Sequence, residues 1–222
     1  MNLTTAATTT GAQAGDQPRW RVNAATPEDV PQIAELLCLL YQAEAPRLVP
    51  DDTHAFNALL QASLRAQGQE PKQSSFVVRD ADNPGRVGGY VALSCADNPR
   101  KPPFSARYLA EAIRRFGAWE AARLLWRQYR LAALLCAPLP PKTAQLHSLI
   151  IRPELRGQGL AKRLIHKAET HARRCKQHGV TLYVLDGNPV EPLYQRLGYR
   201  RIPTPPPAFP LPHPGMAMHR AL

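Results

Sequence analysis

The chain has 222 residues, is 44% hydrophobic and carries a formal net charge of +11. This length supplies the core of one α/β domain, whereas two full domains would leave both cores thin. The four cysteines are Cys38, Cys95, Cys136 and Cys175. They include no CxxC pair, so neither a zinc-finger spacing nor a dense disulfide framework is supported. We therefore expect reduced thiols, no metal site and a cytoplasmic protein.

The positive charge is concentrated in the second half of the chain. Residues 1–99 hold 7 basic and 11 acidic side chains, a net −4, whereas residues 100–222 hold 21 and 6, a net +15. Nucleic acid, anionic lipid and phosphorylated cofactors all suit a basic surface equally. Charge alone therefore favours a solvated basic face and selects no partner.

The first hundred residues predict the element order β-α-α-β-β. Residues 1–18 are rich in Thr, Ala and Gly, and predict a disordered tail without a targeting segment. RWRVNAAT predicts a strand, and TPEDVPQIAELLCLLYQ a helix with Thr26 as N-cap, Pro27 at its first position and Asp29 in a capping box. DDTHAFNALLQASLRAQ predicts a second helix, and SSFVVRD and RVGGYVALSC predict a β-hairpin around ADNPG.

Residues 98–142 interrupt this order as a proline-bracketed insertion. Helical stretches over roughly 104–116 and 118–136 predict a helical hairpin. Its arginines and interleaved aromatic residues are compatible with nucleic-acid binding, but we favour a hairpin that packs its aromatic residues on the core and solvates its arginines. The apolar stretch LAALLCA is far shorter than the ~20 residues that a bilayer span requires.

The rest of the chain predicts a βαβ unit with a parallel strand pair, then a short helix and two strands. AQLHSLII and VTLYVLD predict the parallel strands, joined by a helix over GLAKRLIHKAETHARRCKQHG that ends at Gly179 as C-cap. VEPLYQRLG predicts the short helix. YRRIP and GMAMHRAL predict the last strands, on either side of the proline-rich TPPPAFPLPHP.

The junction LRGQGLAKRL, residues 155–164, has the features of an anion-binding loop. A strand passes into a helix there, which leaves backbone amides that no helical carbonyl can satisfy. Gly157 and Gly159 allow close approach of a ligand, and Arg156 adds a cation in line with the helix dipole. The pattern is neither a GxGxxG nor a P-loop, and tight strand-to-helix turns also use glycine for steric reasons alone.

Together with its neighbours, this junction closely resembles the GNAT superfamily of acyl-CoA-dependent N-acyltransferases. The family's R-x-x-G-x-G/A loop is matched by Arg156, Gly159 and Ala161, and its LYxRLGY motif by PLYQRLGY. The resemblance extends from residue 20 to Leu222, and the helical insertion and the proline-rich loop depart from the family's minimal form. It implies a single α/β domain, a mixed central sheet with a splayed parallel strand pair, and acetyl-CoA as the acyl donor.

The resemblance also implies where the cofactor lies. The pantetheine arm is expected between the splayed strands, with a backbone N–H at Leu149 facing the thioester carbonyl. Lys162 and Arg163 either face the outer phosphates or form solvated helix surface. The expected cofactor-binding residues are Leu149, Ile150, Ile151, Arg156, Gly157, Gln158, Gly159, Leu160, Ala161, Asn188 and Tyr194.

Acyl transfer to an amine needs a proton acceptor and a proton donor, because an amine of pKa ~10.4 is almost entirely protonated at neutral pH. By resemblance Tyr194 donates the proton to the departing thiolate; the alternative is a tyrosine that only packs on the sheet. LHSLII resembles a strand of arylalkylamine N-acetyltransferases, which makes His147 a candidate base or a purely structural histidine, with Gln145 where a second histidine would stand. Other carboxylates that stay open as the base are Glu35, Glu44 and Asp186.

These residues predict an N-acetyltransferase that moves an acetyl group from acetyl-CoA to a primary amine, with a small-molecule acceptor preferred over a protein amino group. Highly cationic amines are disfavoured unless the acidic first half lines the amine site. A non-catalytic acyl-CoA-binding module, whose insertion docks on nucleic acid or an acidic protein, is the alternative. We expect no nucleic-acid or membrane partner, and the sequence leaves homodimerisation open.

Overall fold

A seven-stranded mixed sheet forms the centre of the structure, a computed structural model that describes residues 19–66, 74–95, 106–135, 140–185, 187–203 and 215–222. The strands are β1 (Trp20–Ala24), β2 (Ser75–Asp80), β3 (Val87–Ser94), β4 (Thr143–Ile151), β5 (Gly179–Leu185), β6 (Arg200–Ile202) and β7 (Gly215–Ala221). Their order across the sheet is β1-β2-β3-β4-β5-β7-β6, and every neighbouring pair is antiparallel except the parallel β4 and β5. This arrangement confirms the α/β class and the central parallel pair.

Helices cover both faces of the sheet. They are α1 (Val30–Glu44), α2 (Thr53–Ala66), α3 (Ala106–Leu135), α4 (Leu160–Arg174) and α5 (Glu191–Arg196). Alternate residues of one strand enter different cores, as a pleated strand requires: Phe76 and Val78 pack with α4, whereas Val77 packs with α1 and α2. Helix α4 therefore packs on one face of the sheet, and α1 and α2 pack on the other.

The predicted capping box at the start of α1 is present. The Asp29 carboxylate accepts hydrogen bonds from the Thr26 backbone N–H (2.8 Å) and hydroxyl (3.1 Å), and it also binds Arg79 at 2.8 Å. Pro27 opens a short 3-10 turn over Pro27–Asp29, and α1 follows from Val30. The cap thus ties the start of α1 to β2 across the sheet.

The insertion forms the predicted helical hairpin. Gly117, with φ 77° and ψ 164°, breaks α3 into two halves, and the Tyr108 hydroxyl of the first half donates to Gln128 of the second at 2.9 Å. The expected packing of its aromatic residues is wrong for Trp119 and Trp126, which are 75% and 54% exposed. Tyr129 is also exposed, at 47%. The core contact of the hairpin is made instead by Tyr108, Ala112, Ala121 and Leu124.

The predicted C-cap of α4 is also wrong. The helix ends at Arg174, and Lys176, at φ 55°, takes the left-handed position that we assigned to Gly179. Gly179 is already the first residue of β5, opposite Ala221. A Cβ at Gly179 would overlap the His219 ring, so the glycine serves the close approach of two strands and not the end of a helix.

The N-terminal tail and the proline-rich loop of the sequence lie outside the described residues. Among those that are described, no helix is both long and apolar enough to cross a membrane.

Candidate functional site

A cleft opens where β4 and β5 separate. Their parallel pairing runs from Thr143 opposite Gly179 to Leu146 opposite Leu182 and goes no further. Beyond that point β5 remains paired with β7 as far as Leu185, while β4 remains paired with β3. The later residues of β4 therefore face a gap in the sheet, which is the splayed arrangement that the sequence predicted.

A bulge in β4 lies at the mouth of this gap. Ala92 of β3 is opposite His147 and Tyr90 is opposite Ile150, so Ser148 and Leu149 have no register partner on either neighbouring strand. Ser148 adopts a positive φ of 57°. Bulges of this kind turn backbone groups out of the ladder and are common beside active sites. Leu149 thus sits where an N–H can face a ligand in the cleft.

The loop between β4 and α4 is the anion-binding junction of the sequence. Gly157 (φ 79°) and Gly159 (φ 73°) are both left-handed, and a Cβ on either would meet nothing within 4 Å. The amides of residues 157–162 find no backbone acceptor in the described part of the chain; the first such bond of α4 joins the Arg163 N–H to the Gly159 carbonyl at 3.2 Å. Open amides at a helix N-terminus fit the pyrophosphate of a coenzyme.

The other expected cofactor residues divide by exposure. Arg156 and Gln158 are exposed, as is Lys162, whereas Arg163 is half-exposed. Ile150 and Ile151 are buried in the cores on opposite faces of the sheet, so only their backbones can line the cleft. Leu160 is buried against the sheet and Ala161 partly so. This division favours backbone recognition of a cofactor, assisted by a few cations.

Tyr194 lies on α5 with only 5% of its surface exposed. Its ring packs edge-to-face on Tyr199, with centroids 5.7 Å apart. Burial, and then the negative charge of Glu44, raises the pKa of the Tyr194 hydroxyl above its ordinary value. The hydroxyl is therefore protonated at neutral pH and able to donate, while the ring also contributes to the core.

Glu44, the last residue of α1, meets the segment that precedes α5. Its carboxylate accepts a hydrogen bond of 2.6 Å from the side-chain amide of Asn188, whose oxygen in turn accepts from the Val190 N–H at 3.0 Å. Burial raises the pKa of Glu44, and the Asn188 bond opposes that shift. Asn188, expected to bind the cofactor, thus also positions a carboxylate beside Tyr194, a relation that neither motif indicates.

His147 is half-buried beside the bulge. One ring nitrogen is 3.1 Å from the Ser94 hydroxyl and the other is 3.3 Å from the Ser148 hydroxyl. Hydroxyls can donate or accept, so these contacts suit either a structural histidine or one whose proton can move. The sequence pattern indicated neither serine. Ser94 lies on a different strand, and the hydroxyl of Ser148 lies near the ring at a bulge that the pattern does not predict.

The remaining candidate carboxylates are set apart. Glu35 forms an ion pair with Arg152 at 3.1 Å, and the same arginine donates to the Val87 carbonyl at 2.7 Å. Asp186 lies outside the described residues. Of Glu35 and Glu44, the two that the structure describes, Glu44 is the one whose negative charge acts on the Tyr194 hydroxyl.

Four arginines of the insertion, Arg114, Arg115, Arg123 and Arg127, are engaged within the protein. Glu111 binds Arg114 at 2.7 Å and Arg115 at 2.6 Å, and these partners lower its pKa to about 2. Arg127 donates to the Arg47 carbonyl at 2.8 Å, just beyond the end of α1. The hairpin therefore packs against the turn Pro46–Leu48, which follows Glu44.

Comparison with known proteins gives a family match and similar folds. The family model described as "Acetyltransferase (GNAT) family" matches residues 33–199. A GCN5-related N-acetyltransferase from Kribbella flavida is similar in structure, with a TM-score of 0.56 and 20% identity over 92% of this chain and 98% of that one. A comparison with curated protein sequences finds no significant match.

Two further similar structures were solved with a coenzyme. They are yncA from Salmonella typhimurium with its cofactor acetyl-CoA (TM-score 0.53, 16% identity, 91% of this chain and 93% of that one) and PaiA N-acetyltransferase from Thermoplasma acidophilum with coenzyme A (TM-score 0.52, 14% identity, 91% and 99%). At these identities the likeness shows a shared fold.

Proposed function

The chain belongs to the GNAT family of acetyltransferases, and from this premise we propose that it transfers an acetyl group from acetyl-CoA to the primary amine of a small molecule. Membership makes it an acyl-CoA-dependent N-acetyltransferase. One observation carries the proposal: the gap between β4 and β5 leads from an unpaired backbone at Leu149 to the open amides of residues 157–162. Two similar structures that hold acetyl-CoA and coenzyme A support the choice of donor.

In the proposed mechanism the loop holds the donor and β4 activates it. The amides that follow Arg156, with the dipole of α4, bind the pyrophosphate. The pantetheine arm enters the gap, where the Leu149 N–H donates to the thioester carbonyl and stabilises the negative charge that develops on its oxygen. The loop thus recognises the pyrophosphate mainly through backbone amides.

We assign proton transfer to the pair at the end of α1 and on α5. Glu44 first removes one proton from the ammonium, directly or through water, and the neutral amine nitrogen then bonds to the acetyl carbon. When the C–S bond breaks, the Tyr194 hydroxyl donates its proton to the departing thiolate, which leaves as free coenzyme A thiol. The second proton of the acylated nitrogen is then lost and restores the Tyr194 hydroxyl. The raised pKa of Glu44 makes its carboxylate a stronger base, and the Tyr194 hydroxyl is protonated at neutral pH and so has a proton to donate.

His147 is the second candidate base. Its two serine contacts hold the ring beside the bulge, where a neutral imidazole could take the proton through a water. The two assignments differ in their pH dependence and in the variant that loses activity, so one experiment separates them.

A small primary amine is the acceptor class that we favour. Glu44 belongs to the acidic first half of the chain, and its carboxylate attracts an ammonium group that the basic second half would repel. The α3 hairpin packs on α2 and on the turn Pro46–Leu48, beside this carboxylate, and so walls the acceptor side. We propose a cytoplasmic location, in keeping with the thiols of Cys38, Cys95 and Cys175, which form no disulfide. We also propose no nucleic-acid partner, because Arg114, Arg115 and Arg123 of the hairpin are bound to acidic side chains.

The test is product discovery with isotope-labelled acetyl-CoA. Purified protein is incubated with a metabolite extract and with intact proteins, and labelled products are identified by mass spectrometry, which its own cysteines do not disturb. The expected result is a labelled small amine whose formation stops in Tyr194→Phe. Label on protein amino groups alone would overturn the acceptor class, and donor binding with no labelled product would support the non-catalytic module.

A further inference from the structure

Three metal-ligating side chains meet at the C-terminal end of α4. Cys95 follows β3, His171 is in the last turn of α4, and Cys175 comes directly after that helix. The two sulfur atoms and a ring nitrogen of His171 all lie within 4.8 Å of one another, and the Cys175 sulfur is 3.4 Å from His171 Nε2. We refer to these residues as the thiol–imidazole cluster.

Helix spacing brings two of the three ligands together, and tertiary packing adds Cys95. His171 and Cys175 are four residues apart on a helix and so lie on the same side, one turn apart. Cys95 is buried in the core beneath them, and Phe76 packs edge-to-face against the His171 ring with centroids 5.6 Å apart. His171 and Cys175 are half-exposed, so the cluster is buried on the Cys95 side and open to solvent on the other.

The distances suit a tetrahedral ion. Zinc binds thiolate sulfur at ~2.3 Å and imidazole nitrogen at ~2.0–2.1 Å, so neighbouring ligand atoms in a tetrahedral site lie roughly 3.5–3.8 Å apart. The Cys175–His171 edge of 3.4 Å already matches this value, and the others need a contraction of at most about 1 Å from the 4.8 Å limit. Two thiolates and one imidazole are also a donor set that Zn²⁺ prefers to harder cations.

We propose that the thiol–imidazole cluster binds one Zn²⁺ ion, with a solvent molecule as fourth ligand, and so fixes the end of α4 to β3. Leu160, which begins α4 beside the anion-binding loop, is eleven residues from His171, or roughly 17 Å along the helix. The ion is therefore distant from the start of α4, where the pyrophosphate is proposed to bind. Its role is to stabilise the fold, and this inference is independent of the proposed catalytic function.

Cobalt(II) is the probe. The full chain is reduced, freed of metal with a chelator and titrated with Co²⁺ under anaerobic conditions. We expect one equivalent to produce a thiolate-to-cobalt charge-transfer band together with the visible bands of a tetrahedral site, and Zn²⁺ to abolish both. Zinc at about 100 times its Kd is expected to raise the Tm by roughly 5–10 °C.

Variants decide whether the cluster is the site. Cys175→Ser and His171→Gln, at half-exposed positions, should lose the charge-transfer band or weaken binding at least tenfold, while Cys95→Ser tests the buried ligand. Cys38→Ser is the matched control, because burial raises the pKa of that thiol to about 11 and it lies in the opposite core. No band in the reduced protein, or equal affinity in Cys175→Ser and Cys38→Ser, would overturn the proposal. A Cys95–Cys175 disulfide in the purified protein, with no metal uptake once it is reduced, would overturn it as well.

Discussion

The donor side and the acceptor side of the site are built in different ways. The donor side, which comprises β4, the loop and the start of α4, is one continuous stretch from Thr143 to Ala161. The acceptor side joins Glu44 to Asn188, 144 positions apart in the chain. Local geometry therefore sets the donor side, whereas tertiary packing assembles the acceptor side. We expect donor-side changes to alter coenzyme binding and acceptor-side changes to alter turnover.

Tyr194→Phe is the strongest test of this division. Loss of the proton donor should lower kcat by ~10²–10⁴-fold and leave the Kd for coenzyme A unchanged, as measured by isothermal titration calorimetry. Tyr199→Phe is the matched control, because its hydroxyl donates to the buried carboxylate of Glu169 at 3.0 Å. That change should cost about 1–3 kcal/mol of stability and spare kcat. Turnover that survives in Tyr194→Phe would remove the residue from the mechanism.

Glu44→Gln should lower kcat/KM by ~10²-fold, because an amide cannot accept the amine proton. The pKa of Glu44 is raised above 4.5 by burial, so wild-type activity should fall as the pH drops through that raised value and the carboxylate becomes protonated. The variant should lack this acidic limb in its pH–rate profile.

Two further variants interpret that result. Glu35→Gln, whose carboxylate is already paired with Arg152, should retain nearly all activity. An acidic limb that persists in Glu44→Gln but vanishes in His147→Gln would assign the base to His147.

Gly159→Ala tests the donor side. An alanine at φ 73° is strained by ~1–2 kcal/mol, so the loop should leave its conformation and the Kd for coenzyme A should rise about tenfold, with a smaller change in the KM for the amine. Gly117→Ala strains the backbone of the insertion, also in open space, and more strongly, because φ 77° with ψ 164° is a conformation that essentially only glycine adopts. It should lower stability by more than Gly159→Ala and leave coenzyme binding intact; equal binding losses in both variants would indicate a general defect.

Arg127→Ala should have the smallest effect. It removes the hydrogen bond to the Arg47 carbonyl, worth ~0.5–1.5 kcal/mol, and loosens the turn beside Glu44. We expect the KM for the amine to rise by roughly 2–10-fold with the donor KM unchanged. Arg123→Ala, whose partner Glu120 lies on the same helix, is the control. Identical kinetics in both would show that the hairpin does not shape the acceptor side.

Element boundaries followed from the sequence wherever local signals were strong. The Thr26 cap, the break at Gly117 and the glycine loop before Leu160 all depend on neighbours within a few residues, and all are present. The C-cap assigned to Gly179 was wrong because glycine has two uses, a left-handed turn or a close approach, and only the position of β7 decides between them. The outward Trp119 and Trp126 were missed because the rotation of each half of α3 on the core, which buries Tyr108 and Leu124 instead, depends on tertiary packing.

By itself the sequence determined the family resemblance, the order of elements along the chain and the glycine turn before α4, because each depends on hydrophobic period, turn chemistry or a contiguous motif. Only the tertiary structure joined Glu44 to Asn188, placed His147 against Ser94, and brought Cys95 to His171 and Cys175. Each of these contacts includes residues from separate elements. Their distances depend on how helices pack on the sheet, which no local pattern encodes.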